Sequence, residues 1–524
     1  MTGWLRDRLS RGPRLSVVVP VYDVEDYLAA CLDSLAAQTI GTLEVVIVDD
    51  GSTDGSAKIA EAYVARHRTW KLVRTENHGL GAARNRGVAE ATRELLAFVD
   101  SDDLVPKDAY AVLVAALDES GSDFAVGSIQ QKIGRRLVEP EFLFEAMGQR
   151  RLGVRASDVP AVTRNVFAVT KVFRRSFYDS AGIKFPEGVR YEDQPAMMRA
   201  YLLADRFDII KRPVYTWRIR AEGTSITQGR AKLADLEDRF ATKELTAAVV
   251  RNHGEAVVQD FWGRLGAVGD LPVYFEQIPF VDDAWWRRLV TGLRELLADG
   301  PPIEESRLRL PHRLIGWLVV QDRRADAEQL LAWITAHEGP LRLKVEGDRV
   351  SAPDLPFSSD PAYDLPDALR HLGPYELVFD ARLVAARWDE DVLVLTGWAL
   401  VRGAPTAGVE TEVRVGLSPG EGSEVWPAIV TRFSAPEATL WINRDEQVYD
   451  DSGFVARIDL ADWLARPAAD RQELVVSLEV DVALVRRAGP LRSRADALDP
   501  DRLPAHAGAA LSWRPGTGLV VVPR

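Results

Sequence analysis

Phe98-Val99-Asp100-Ser101-Asp102-Asp103 puts three carboxylates into four residues directly after an apolar run, Leu95 to Val99, that reads as a buried strand. Bare carboxylates at this spacing repel. The arrangement makes physical sense where a divalent cation and a phosphorylated ligand meet the strand's C-terminal end. Magnesium-like ions take oxygens from one or two carboxylates and complete their shell from substrate phosphates. A solvated acidic turn ahead of a helix beginning near Pro106 explains the same residues taken alone.

The flanking sequence favours the first reading. Ser16 to Tyr22 is a short β-branched run, and Asp26 to Gln38 follows with Tyr27, Leu28, Cys31, Leu32 and Leu35 at helical spacing. A second apolar run, Leu43 to Val48, enters Asp49-Asp50-Gly51-Ser52-Thr53-Asp54-Gly55, and Ser56 to Arg66 is again helical. Lys71 to Arg74, the loop Glu76 to Gly81 and a helix from about Ala82 to Ala91 lead to the strand that delivers Asp100. Strand and helix alternate, and the continuous apolar strands predict a parallel sheet covered on both faces. Polar residues gather at the strand ends, where open α/β sheets bind ligands.

Four segments in this order resemble the motif set of family 2 glycosyltransferases of the GT-A (Rossmann-like) fold. They are Val19-Pro20-Val21-Tyr22, Val48 to Asp54, Asn77-His78-Gly79-Leu80-Gly81-Ala82-Ala83-Arg84-Asn85 and Asp100 to Asp103. A fifth, Tyr191-Glu192-Asp193-Gln194, resembles the Glu-Asp motif of members that build or decorate bacterial cell-wall polymers, the wall teichoic acid enzymes among them. Trp217 to Arg220 with Ser225-Ile226 resembles the basic segment closing that catalytic domain.

The resemblance implies a metal-dependent, inverting enzyme moving a hexosyl or N-acetylhexosaminyl group from a UDP-sugar to a polymer or glycan hydroxyl. It implies that Pro20, Tyr22, Asp49, Asp50, Asn77, Arg84, Asp100 and Ser101 bind the nucleotide sugar. Asp50 would meet the uracil imide, Arg84 the base or ribose, and Asp100 the ribose. Asp102 would ligate Mn²⁺ or Mg²⁺, with Asp103 capping the next helix. Asp193 would be the general base and Glu192 its neighbour, orienting the acceptor or raising the base's pKa by like-charge proximity. Arg218 and Ser225 would hold the diphosphate or an anionic acceptor. A non-catalytic carbohydrate-binding or scaffold protein would have no need of both Asp102 and Asp193. A sugar nucleotidyltransferase shares the nucleotide site but has no use for Glu192-Asp193.

Composition fits a large cytoplasmic enzyme. With 524 residues the chain exceeds what one core usually serves. The expected division is a catalytic domain over 1–228, a helical region over 229–340 and a β-rich part, hairpin plus antiparallel sandwich, over 341–524. One cysteine, Cys31, excludes an internal disulfide and sits on an apolar helix face. A net charge of -13 argues against sequence-independent nucleic-acid binding. No stretch approaches the ~20 apolar residues that span a bilayer. Met1 to Arg14 reads as a solvated leader, with Trp4, Leu5 and Leu9 among arginines leaving peripheral contact at the inner membrane face as the alternative.

Beyond the motifs, Trp285-Trp286 and Ala327 to Ile334 carry apolar residues at helical spacing. From Leu341 short alternating runs such as Val392 to Trp398 and Leu474 to Val480 predict the sandwich. Its tryptophans, Trp388, Trp398, Trp426, Trp441, Trp463 and Trp513, are expected in the core rather than on sugars. Pro353 to Pro374 reads as a stiff linker. By resemblance the tail serves polymer binding or homo-oligomer assembly.

Overall fold

The computed structural model describes residues 14–134, 136–219, 229–337, 341–358, 360, 363–406, 409–419, 424–442, 447–493, 503–514 and 517–524. Ser225, with Arg220 and Ile226, falls outside the described residues, as does the leader up to Pro13. Two compact units make up the chain, Met1–Pro302 and Ile303–Arg524.

The first unit is built on a nine-stranded sheet. Its strands are β1 (Leu15–Val21), β2 (Glu44–Asp49), β3 (Trp70–Arg74), β4 (Leu95–Phe98), β5 (Phe124–Ile133), β6 (Arg136–Val138), β7 (Arg151–Val154), β8 (Lys171–Arg174) and β9 (Phe207–Arg218). They lie in the order β3-β2-β1-β4-β8-β5-β9-β7, with β6 paired to β5. The expected alternation holds through β4, because β1 to β4 are mutually parallel and linked by helical crossovers. Beyond β4 the sheet is mixed. Strand β8 enters between β4 and β5 and runs antiparallel to both, which needs no crossover helix.

Every residue of β1, β2 and β4 is buried, as their largely apolar sequences require, and the buried Glu44 of β2 is bonded by the hydroxyls of Ser16 and Thr92. The helices that serve the site are α1 (Glu25–Ala36), α2 (Ser56–Arg66), α3 (Leu80–Glu90), α4 (Ala109–Ser120), α5 (Asp193–Leu203), α6 (Leu233–His253) and α7 (Asp283–Leu297). The polar turns after β1, β2 and β4 all open at the sheet edge where those three strands end, the switch point of the fold. Cys31 is fully buried on α1, and burial pushes its thiol pKa up. Arg14, the first described cation, pairs with Glu94 and Asp118 at 2.5 and 2.9 Å.

The helical stretch contributes to both units. Helices α6 and α7 belong to the first, with Trp285 and Trp286 buried in its core. Leu310–Val320 and Arg324–Ala336 belong to the second. There two sheets share one apolar core. One has the order Ile429–Phe433, Gly453–Asp459, Val392–Arg402, Val378–Asp389, Arg492–Ser493. The other runs Trp426–Pro427, Thr411–Ser418, Leu474–Val482, Gly518–Pro523, Ala509–Arg514, Ala505–His506. Pairing is antiparallel apart from a short parallel contact of Arg382 and Leu383 with Arg492 and Ser493. Trp398, Trp426 and Trp463 are buried, and Trp388 and Trp513 pack half-buried against the core. The side chain of Trp441 falls outside the described residues. Pro353 to Pro374 is not a free linker: Leu355, Leu365 and Leu369 are buried, and Arg313 donates to the Ala368 and His371 carbonyls. Its prolines are compatible with a packed irregular segment as well as with an extended one.

Helix α3 is set against β1 by the absence of side chains. A Cβ on Gly87 would stand 2.2 Å from Val18 Cγ1, and one on Gly81 would stand 2.1 Å from the Pro186 carbonyl oxygen. Close approach on both sides brings Arg84, between them in sequence, under the sheet edge. Gly87→Val should therefore cost about 1–3 kcal/mol through overpacking against a stiff valine. A lowered denaturation midpoint of the first unit checks this, and an unchanged midpoint would mean that α3 can shift freely.

Candidate active site

A cleft of about 1180 Å³ opens at the ends of β1 and β4. Pro20, Tyr22, Asp50, Asn77, Arg84, Asp100, Ser101, Asp102, Glu192 and Asp193 all line it. Asp49 does not line it: its carboxylate accepts the Ser52 N–H at 3.0 Å and shapes the turn after β2. Asp50 holds the neighbouring loop. It accepts the N–H groups of His78 and Gly79 at 3.1 and 2.8 Å and the Thr75 hydroxyl at 3.0 Å, so the Asn77-His78-Gly79 turn is built on it.

Arg84 is buried beneath the cleft floor. Its Nη2 donates to Asp100 Oδ1 at 2.7 Å, while Nη1 donates to Asp193 Oδ1 at 2.5 Å and to Glu192 Oε1. The Phe185 ring lies 5.1 Å from the guanidinium carbon. One cation thus faces three carboxylates, and these come from segments far apart in sequence. Burial pushes Glu192 up to about 7, with Asp193 adding to the rise and Arg84 opposing it. Burial also raises Asp193, again against Arg84. Like-charge proximity, one of the two roles expected of Glu192, is not the main cause of the rise in Asp193: burial is, and the like-charge neighbour that adds to it is Asp100.

The second oxygen of Asp193 accepts the Ala168 N–H at 3.0 Å. Behind that loop the fully buried Lys171 donates to the Asn165 and Phe167 carbonyls at 2.7 and 2.8 Å. Tyr191, just ahead of Glu192, is held at φ 65, a left-handed conformation costly for an aromatic residue. Its hydroxyl donates to Asp235 at 2.9 Å and Arg239 lies 3.5 Å over its ring, which fixes the turn presenting both acids.

The Asp100 turn is tied to the end of β9. The Tyr215 hydroxyl accepts the Asp100 N–H at 3.1 Å and donates to Asp103 Oδ2 at 2.9 Å. Asp103 does not cap the following helix. It is buried and accepts the Arg218 N–H at 2.7 Å, while α4 begins only at Ala109, after Asp108. Burial, with Asp102 and Asp100 close by, raises Asp103 well above the carboxylate range. Arg218 donates through Nε to the Asp102 carbonyl and through Nη2 to the Tyr27 carbonyl at 3.0 Å, and does not line the cleft.

Arg164, Phe167, Arg239, Trp262 and Asp270 also line the cleft, and sequence reasoning did not single them out. Arg239 and Asp270 sit in a stretch whose helical periodicity masks them. Arg164 stands in irregular sequence without a motif. Tyr215, Ala168 and Lys171 carry no pattern that marks them either.

The glycosyl transferase family 2 model matches residues 16–176, the segment that holds the turns after β1, β2 and β4. EpsH of Bacillus subtilis, which carries a glycosyltransferase name, is 32% identical over 247 residues, 46% of this chain and 71% of that protein. The chain belongs to glycosyl transferase family 2. Among other relatives of this family 2 chain, the poly(ribitol-phosphate) beta-N-acetylglucosaminyltransferase TarS of Staphylococcus aureus is 29% identical over 261 residues, 48% of this chain and 44% of TarS. The crystal structure of TarS covers 97% of this chain and 85% of its own length, with a TM-score of 0.55 at 18% identity, a likeness of fold that extends through the C-terminal sheets. TarS residues 1–349 have also been solved in complex with UDP-GlcNAc, covering 65% of this chain and 96% of that one at a TM-score of 0.51 and 22% identity.

Glu192 gives a pH signature. A carboxyl whose pKa is raised on folding contributes its stability fully below the unfolded value, 4.5, and loses it as pH rises through about 7. The free energy of unfolding of the enzyme should fall as pH rises over that window, and Glu192→Gln should flatten the slope. Parallel curves for the two proteins would place the buried proton elsewhere.

Proposed function

We propose that this enzyme transfers a hexosyl or N-acetylhexosaminyl group from a UDP-linked donor to a hydroxyl of a cell-wall or cell-surface polymer, inverting the anomeric centre. The observation that carries the reading is Asp193. Its carboxylate lines the cleft and shares one guanidinium with Asp100, at the end of the strand where a nucleotide sugar would lie. The printed name of TarS supports the class of donor and polymer.

In this reading Asp193 accepts the acceptor hydroxyl's proton as its oxygen attacks the anomeric carbon and the bond to the diphosphate breaks. Arg84 keeps that carboxylate oriented and opposes the pKa rise that burial imposes. Glu192, pushed up to about 7, carries a proton for part of the neutral range and spares the site a third negative charge. Asp50 and Asn77 would meet the base, Pro20, Tyr22 and Ser101 would line the nucleotide, and Asp100 the ribose. Arg84, Asp49 and Arg218 act through the groups they hold, and Ser225 keeps its proposed place beside the diphosphate.

Among the described residues no group of three or more His, Cys, Asp or Glu side chains is assembled to cage a metal. The cleft instead offers the hard oxygens of Asp100 and Asp102, a donor set suited to Mn²⁺ or Mg²⁺ whose shell is completed by substrate phosphates. Asp102 would hold the cation, which when bound neutralises charge growing on the departing diphosphate. No helix among the described residues is long and apolar enough to cross a membrane. We place the enzyme in the cytoplasm, touching the inner membrane face at most, and assign the C-terminal sheets to polymer holding or self-association.

Asp193→Asn should lower turnover by on the order of a hundredfold or more while leaving UDP affinity nearly intact, and excess chelator should abolish transfer. UDP-sugar hydrolysis and transfer assays on the full chain read both. Full turnover in the mutant would remove Asp193 as base, and full activity in chelator would remove the metal.

A further inference from the structure

The cleft has two electrostatic characters. Its donor side is acidic, with Asp50, Asp100, Asp102, Glu192 and Asp193. The wall adjoining Asp193 through the Ala168 N–H is basic and aromatic. Asp270 there is shared by two cations, Arg239 at 3.0 Å and the fully buried Lys243 at 2.6 Å, so this group alone carries a surplus positive charge. Arg164 adds another. Its Nη1 donates to the Phe142 carbonyl at 3.1 Å and its guanidinium lies 5.2 Å from the Phe142 ring centre, with no ion pair among the described residues. Burial lowers the Arg164 pKa, and the more distant Glu145 and Asp270 do not offset it. Arg164 is only partly exposed, faces the cleft and has no carboxylate in ion-pair contact among the described residues, so its guanidinium is available to an anion carried by a ligand.

We infer that Arg164, at the basic wall beside Asp193, binds an anionic group, phosphate or carboxylate, carried by the acceptor close to the hydroxyl that is glycosylated. This rests on the transferase reading above and adds the acceptor's charge and the residue that selects it. Guanidinium meets either oxyanion through a planar pair of N–H donors, which lysine cannot reproduce in full. Phe142 and Phe167, whose ring centres lie 6.4 Å apart, flank that position and give it an aromatic rim that is partly exposed. The four-residue step from Arg164 to Ala168 places anion recognition and the support of the base on one short segment. An acceptor seated at Arg164 would therefore be registered against Asp193.

The test uses the full chain saturated with UDP and titrated calorimetrically with three probes: a short glycerol-phosphate oligomer, an oligogalacturonate and a neutral maltooligosaccharide. At least one anionic probe should bind more tightly than the neutral one, with salt weakening it. Arg164→Gln should lose about tenfold or more of that affinity, in line with a charge-assisted hydrogen bond, and Arg164→Lys should recover part of it. UDP affinity measured on each variant reports an intact cleft. The preferred anionic probe identifies phosphate or carboxylate as the natural group. Equal affinity of Arg164→Gln and wild type for both anionic probes, or preference for the neutral oligomer, would overturn the inference. If wild type fails to bind UDP, the donor reading fails, and the anionic titrations still decide the role of Arg164.

Discussion

One buried guanidinium organises this site. Arg84 reaches Asp100 at the end of β4 and Glu192 and Asp193 at the start of α5, and without it three neighbouring carboxylates would lose the one cation that bonds them directly. Burial raises the proton affinity of Glu192 and Asp193, neighbouring carboxylates add to the rise, and the single cation opposes it. The same feature suits the site to a ligand that brings cationic charge to the Asp102 side and a proton to the Asp193 side. The Asp100 turn and the acid pair are thereby mechanically one object, although 92 residues lie between Asp100 and Asp193 in the sequence.

Much of the fold supports that guanidinium. Gly81 and Gly87 let α3 lie against β1 and the Pro186 segment, so the helix that carries Arg84 is clamped on two sides. Tyr215 and the β9 end hold the Asp100 turn through Asp103. On the other flank the strained Tyr191, its hydroxyl on Asp235 and its face under Arg239, turns Glu192 and Asp193 inward. Such strain persists where the surroundings over-determine it, and here both partners of Tyr191 come from α6.

The first four strands and the polar turns at their ends were legible in the sequence because their determinants are local. Buried parallel strands are unbroken apolar runs, and the turns after β2 and β4 are short acidic strings whose order carries information. Asp103 shows where that logic ends: a carboxylate three residues into a turn reads as a cap, yet long-range pairing with β9 takes it. Asp49 turns into its own loop, and Arg218 reaches the distant carbonyls of Tyr27 and Asp102, so neither lines the cleft. The wall formed by Arg164, Arg239, Trp262 and Asp270 was invisible, because helical periodicity says which residues face a core but not which charged ones converge across a gap. In the C-terminal unit alternation revealed the strands, whereas the packing of Leu355, Leu365 and Leu369 hid inside a proline-rich stretch.

The most direct measurement is the pH dependence of transfer in Arg84→Lys against wild type. Lysine keeps the charge but cannot span Asp100, Glu192 and Asp193 together, so the opposing influence on the base weakens. The acidic limb of kcat/KM, set by the base that must lose its proton, should move to higher pH in the variant. A fall in rate with the limb unmoved would contradict the view that Arg84 joins the donor turn to the catalytic acid pair.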